Sequence, residues 1–167
     1  MRDGLTLLAD RPEAFSEPEL AAFAALVASG GQVPTDGLAR KVLQAELLVT
    51  ISDGDSIVAT SAIKMPSDDY RAYQFAEAGS ALDPENFRCE FGYVVVAPSH
   101  RNRGLSQMLA EKALSSWGTA PVYATTLIGN AAMHRVLEAN GFVRSGAAYP
   151  DLDAPDDLLH LFVKTGT

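Results

Sequence analysis

Arg101, Arg103, Gly104 and Ser106 fall close together, directly after the run Cys89–Val96, which is rich in β-branched and aromatic side chains. Pro98 ends that run, and from Leu105 the pattern becomes helical. The spacing predicts a strand, a turn and a helix. A glycine-bearing turn feeding a helix leaves the first backbone N–H groups without partners, beside the positive end of the helix dipole. Such a place binds phosphate. Cations at a helix start are disfavoured by the dipole unless an anion is present, so Arg101 and Arg103 fit an anion site better than a merely solvated helix end. His100 is a base by chemistry alone, and its place in the sequence also suits the mouth of this turn. Cys89 has no histidine near it in sequence and reads as a buried strand residue, because free cysteine is usually buried.

The elements that must position this turn can be read in order. Leu5, Leu7 and Leu8 suggest a first strand. Ser16 and Glu19 form a capping box with Pro18 in the first turn, and Leu20, Phe23, Ala24 and Val27 then line one helix face until Gly30-Gly31. Thr35 or Asp36 can cap a shorter helix through Leu38 and Val42. Alternation over Leu47, Val49 and Ile51 resumes with Ile57, Ala59 and Ile63 after Asp53-Gly54, which predicts a β-hairpin. From Pro66 to Arg88 periodicity is lost, although Tyr70, Tyr73 and Phe75 could add a short strand. This acidic stretch reads as a solvated loop or as a substrate-facing flap, and a flap of that charge would suit a cationic amine. Leu105, Leu109, Ala113 and Trp117 place one stripe of the next helix on a sheet. Pro121–Thr126 reads as a buried strand of parallel type. Asn130 opens a helix that Asn140-Gly141 closes, and strands follow from Phe142-Val143 and over Leu158–Lys164. Strands alternating with helices indicate an α/β domain.

The 167 residues fit a single domain, 1–167, and 47% hydrophobic residues can fill its core. Lys+Arg 13 against Asp+Glu 21 gives a net charge of -8, which disfavours nucleic acid and anionic membrane as partners. One cysteine excludes an internal disulfide and a cysteine-rich metal cluster, and no metal site is expected. With neither a signal peptide nor an apolar span in view, the chain reads as soluble and cytoplasmic.

Two stretches carry a resemblance. The segment V-A-P-S-H-R-N-R-G-L-S, from Val96 to Ser106, and the segment N-A-A-M-H-R-V-L-E-A-N-G-F, from Asn130 to Phe142, resemble in order and spacing two motifs of the GNAT superfamily of acetyl-CoA-dependent N-acetyltransferases. Ser106 stands where glycine or alanine is usual, and Leu137 stands where the family commonly has a tyrosine that protonates the departing thiolate. The first 88 residues match in element order only. The resemblance implies a GNAT-like α/β (α+β) fold, a mixed, mostly antiparallel sheet of six to seven strands flanked by about four helices.

It also implies a site. Acetyl-CoA would serve as acyl donor, its pyrophosphate on Arg101, Asn102, Arg103, Gly104, Leu105 and Ser106, its pantetheine on the main chain of Val94, Val95 and Val96, with a further contact from Asn130. Asn130 suits an N-cap equally well. The backbone at Val94 would face the oxyanion. Glu90 matches a position where the family often has a glutamate acting as base through water, and it could equally face solvent. His134, Tyr149, Tyr123 and His160 are the candidates to replace the missing tyrosine, His134 reading otherwise as an exposed helix residue and Tyr149, in a turn before Pro150, as an aromatic cover on the core. The implied reaction is acetyl transfer to an amine of a small molecule or peptide. The alternative is a catalytically impaired acyl-CoA-binding protein with a regulatory or sensing role. A P-loop enzyme is disfavoured because no G-x-x-x-x-G-K-[ST] occurs. The acceptor's identity, acyl groups larger than acetyl, and the oligomeric state, a homodimer included, stay open.

Overall fold

The computed structural model describes residues 4–166. Strand β1 (Leu5–Asp10) leads to α1 (Glu17–Ser29), α2 (Leu38–Leu43), β2 (Leu47–Asp53), β3 (Ser56–Lys64) and α3 (Asp68–Ala78). Then follow β4 (Cys89–Val96), α4 (Leu105–Trp117), β5 (Val122–Leu127), α5 (Ala131–Ala139), β6 (Val143–Pro150) and β7 (Leu158–Lys164). The strands form a seven-stranded sheet in the order β1-β2-β3-β4-β5-β7-β6. Pairing is antiparallel for β1 with β2, β2 with β3, β5 with β7 and β6 with β7, and parallel for β4 with β5. This is the α/β fold with a mixed, mostly antiparallel sheet that the sequence implied. The fifth helix, α3, was not among the expected elements. Among the described residues no helix is long and apolar enough to cross a membrane.

Two compact units share the chain: residues up to 64 with 92–118, and 65–91 with residues from 119 onward. In the first, the Ser16 hydroxyl accepts from the Glu19 N–H at 3.2 Å while the Glu19 carboxylate accepts from the Ser16 N–H at 2.9 Å, the expected capping box. Phe23 and Val27 of α1, with Leu38 and Val42 of α2, pack on Leu48 and Ala62. Ser61, next to Ala62 on β3, hydrogen-bonds the Leu109 carbonyl of α4. Neighbours on a strand point to opposite faces, so α1 and α4 cover opposite sides of β3. The start of α2 differs from expectation: neither Thr35 nor Asp36 caps it, and Gly37 takes that place with φ 71. Only glycine adopts that conformation at no steric cost.

In the second unit α3 overturns the reading of residues 66–88 as a loop, flap or short strand. Ser67 caps the helix through the Tyr70 N–H, with Asp68 and Asp69 in the first turn. Its buried face is Arg71, Gln74, Phe75 and Ala78. The helical spacing i, i+3, i+4, i+7 is therefore present, but half of it is polar, so hydrophobic periodicity does not show it. Arg71 is almost wholly buried because it bridges Asp68 and Glu85, each at 3.0 Å. Phe75 packs on Phe87 and edge-on to Tyr123.

The end of α3 meets β6 at Gly146, which has φ 77 and sits where the β6–β7 register shifts. A methyl group there would collide with the Ala78 carbonyl, backbone that cannot swing aside. Gly146→Ala adds left-handed strain to this overlap and should destabilise the protein by about 2–4 kcal/mol. A lowered urea midpoint with an unchanged m value is the expected measurement.

Candidate active site

The site is built outward from β4. Its ladder with β5 pairs Cys89 with Val122 and Glu90 with Tyr123. Further along, Tyr93 has φ 56, the left-handed region, inside a strand. For a bulky L-residue this costs about 1–3 kcal/mol, and the surroundings must enforce it. Val94, Val95 and Val96 beyond it are half-buried, so this part of the strand is neither sealed in the core nor fully exposed.

After Val96 the chain is tied down at several points. The Ala97 N–H donates to the Val58 carbonyl at 2.8 Å, and the His100 N–H closes a 3-10 turn on the Ala97 carbonyl at 2.9 Å. The Arg101 Nε donates to the Val96 carbonyl at 3.2 Å, which brings the guanidinium back over the strand end. His100 shares one hydrogen bond with Ser99 at 2.7 Å and another with Asp53 at 2.9 Å. It is thus held at the turn, as expected of a residue at its mouth.

Asn102 then takes φ 62 and Gly104 φ 74. Asparagine and glycine are the residues that tolerate this region. Left-handed positions of this kind suit a turn whose backbone N–H groups can face an anion. Gly104 is also the N-cap of α4 and, lacking a side chain, makes no side-chain cap hydrogen bond. Residues Arg101–Gly104 are exposed, while Leu105 is buried and anchors the helix start. Ser106 is half-exposed on the first turn. This arrangement can hold phosphate oxygens on backbone donors, with two guanidinium groups adding charge.

The second unit surrounds Glu90, which is only 3% exposed, so the solvent-facing alternative does not hold. Glu90 and Tyr123, paired across the ladder, project to the same face of the sheet. Tyr149 donates from its hydroxyl to Gln74 of α3, and both are buried. The Glu90 charge is the chief influence holding the Tyr70 phenol well above its ordinary pKa, with burial adding to it. Burial first and Glu90 second do the same for Tyr123 and Tyr149. The three phenols therefore stay protonated around a carboxylate. Sequence reasoning missed Tyr70 and Gln74 here. Their signal was the Ser67 cap and the acidic first turn of α3.

The remaining candidates resolve as follows. Leu137 is 1% exposed and part of the core. Tyr149 lies in β6 rather than in a turn, because the strand continues past its bulge to Pro150. His134 is half-buried rather than exposed: its Nε2 meets the Leu127 carbonyl at 3.1 Å, and its ring lies on His160 and Phe162 of β7. Burial, then Arg144 and His134, depress the His160 pKa. Asn130 caps α5, its side-chain oxygen accepting from the Met133 N–H at 3.2 Å. Cys89 is buried, as expected.

This architecture recurs in known proteins. Among solved structures, an acyl-CoA N-acyltransferase from Pseudomonas aeruginosa superposes with a TM-score of 0.70 at 16% identity, covering 96% of this chain and 99% of that one. Escherichia coli ElaA gives 0.70 at 17% identity over 96% and 99%. The ribosomal-protein-S18-alanine N-acetyltransferase from Escherichia coli gives 0.64 at 14% identity over 95% and 93%. At these identities the likeness shows the fold. No curated protein matches the chain. The model of the acetyltransferase (GNAT) family matches residues 32–142, from α2 through the turn at Arg101–Gly104 to just past α5. That span is well over half of the sequence and holds both stretches, Val96–Ser106 and Asn130–Phe142, and so the chain belongs to the GNAT family of acetyltransferases.

Proposed function

We propose that the protein moves an acetyl group from acetyl-CoA directly to an amine of a small molecule or peptide, with no covalent acyl-enzyme. The observation that carries this reading is the turn with positive φ at Asn102 and Gly104, the latter the N-cap of α4. Backbone donors from Gly104 to Ser106 would hold the pyrophosphate, with Arg101 and Arg103 supplying charge. Main-chain groups of Val94–Val96 would pair with the pantetheine arm. When bound, the donor supplies an acyl group already activated as a thioester. That a structurally similar protein is a ribosomal-protein-S18-alanine N-acetyltransferase supports an amine as acceptor.

Attack requires a neutral amine, whereas an alkylammonium with a pKa near 10.4 is mostly protonated at neutral pH. Glu90, a buried carboxyl side chain whose charge acts on three protonated phenols, would take that proton through water. The Val94 N–H would face the acyl oxygen as negative charge develops on it. A thiol, with a pKa near 8.5, leaves more readily than an amine, so transfer does not require the acid that Leu137 cannot provide. Tyr123 and Tyr149 remain as protonated hydroxyls in this unit.

The test is calorimetric titration with acetyl-CoA followed by CoA-thiol release across a broad panel of amines. Binding with turnover of at least one amine is expected. Neither binding nor release would overturn the reading. Binding without any turnover would select an acyl-CoA-binding protein with a sensing role, the reading that the buried Leu137 favours.

A further inference from the structure

Tyr93 occupies a conformation that a bulky residue does not keep unaided. Three contacts hold it. The Thr60 hydroxyl of β3 donates to the Tyr93 carbonyl at 2.8 Å. The Lys64 ammonium lies 4.5 Å from the centre of the Tyr93 ring. The ring itself is buried in the cluster that includes Phe23, Val42 and Ala62. Thr60 is fully buried, so no water competes for its hydroxyl.

A planar trans peptide points its N–H opposite to its C=O, and no described peptide bond is cis. With the Tyr93 carbonyl drawn onto Thr60, the N–H of the same peptide, that of Val94, is turned away from β3. This is the donor that the acetyl-transfer reading assigns to the acyl oxygen. We infer that Thr60 is a positioning residue: its buried hydroxyl fixes the Tyr93–Val94 peptide so that the Val94 N–H faces the acyl carbonyl, with Lys64 clamping the ring from the other end. Its chemical half rests on the acetyl-transfer reading, and its structural half rests on the β4 backbone alone.

Two readouts test it. In 15N-labelled protein, the Val94 amide signal should differ between the CoA-bound and acetyl-CoA-bound states, and Thr60→Ser should keep that difference. Thr60→Val, similar in size but without the hydroxyl, should lose it, with kcat falling by about ten- to hundredfold and acetyl-CoA affinity within about twofold. A merely structural role would lower affinity and stability together and would not single out the acetyl group. The inference is overturned if the wild-type Val94 amide is indifferent to the acetyl group, or if Thr60→Val keeps both the difference and kcat. Should Thr60→Val fail to fold, Lys64→Met at the half-exposed end of the clamp carries the same readout, a diminished difference supporting the inference and an undiminished one overturning it. If the wild type turns over no amine yet shows the acetyl-dependent signal, the acetyl-transfer reading fails and the structural half of this inference, the peptide fixed by Thr60, stands.

Discussion

Replacing Glu90 with glutamine should lower kcat by about two to four orders of magnitude while leaving acetyl-CoA affinity within about twofold. Glutamine keeps the shape of a side chain that is 3% exposed, so the sheet and α3 should repack little. What it removes is the capacity to take a proton and the negative charge that raises the pKa of Tyr70.

The pH profile separates a lost base from a lost fold. Without Glu90 the reaction depends on amine already neutral in solution, and that fraction rises about tenfold per pH unit below the amine's pKa, near 10.4. The kcat/KM of Glu90→Gln should therefore climb with slope one towards alkaline pH, and its deficit against wild type should narrow. A variant that keeps the wild-type kcat and profile would remove Glu90 from the mechanism and leave attack to amines that arrive unprotonated.

The contrast between Glu90 and the phosphate turn shows which parts of the site a sequence displays. Pro98, Gly104 and the arginines act within a few residues of one another, so their consequence for the backbone is local and legible. The capping box of α1 and the Asp53-Gly54 hairpin are legible for the same reason. The surroundings of Glu90 come from Tyr70 on α3, Tyr123 on β5 and Tyr149 on β6, and only the folded sheet brings these together. The helix that supplies Tyr70 hid because Arg71 and Gln74 occupy its inner face, where a binary pattern expects apolar residues. Asp68 is a local partner of Arg71, but Glu85, its other partner, and Tyr149, the partner of Gln74, lie far along the chain. His134 looked exposed for the same reason, since its covering rings lie on β7. The φ of Tyr93 had no signal at all: tyrosine has no preference for that region, and the contact that holds its carbonyl comes from β3.

Gly104→Val should weaken binding of acetyl-CoA by about tenfold or more, with kcat at saturating donor largely kept. A Cβ at Gly104 would meet nothing within 4 Å, so a clash of the added carbon with the protein is not the cause. The cause is φ 74, which costs an L-residue about 1–2 kcal/mol and a β-branched one more. Relief of that strain reshapes the turn and swings the first N–H groups of α4 away from a common focus, and a loss of 1.4 kcal/mol in binding is tenfold. Gly104→Asn adds comparable bulk but tolerates the left-handed region, as Asn102 does two residues earlier, and should retain most of the affinity. The donor can be varied as well as the protein. Acetylpantetheine lacks the pyrophosphate, and its binding should be equal in wild type and Gly104→Val if the turn serves the pyrophosphate alone. Equal weakening of both donors would mean that Gly104 shapes the whole cleft, and the pyrophosphate would then have to be held elsewhere.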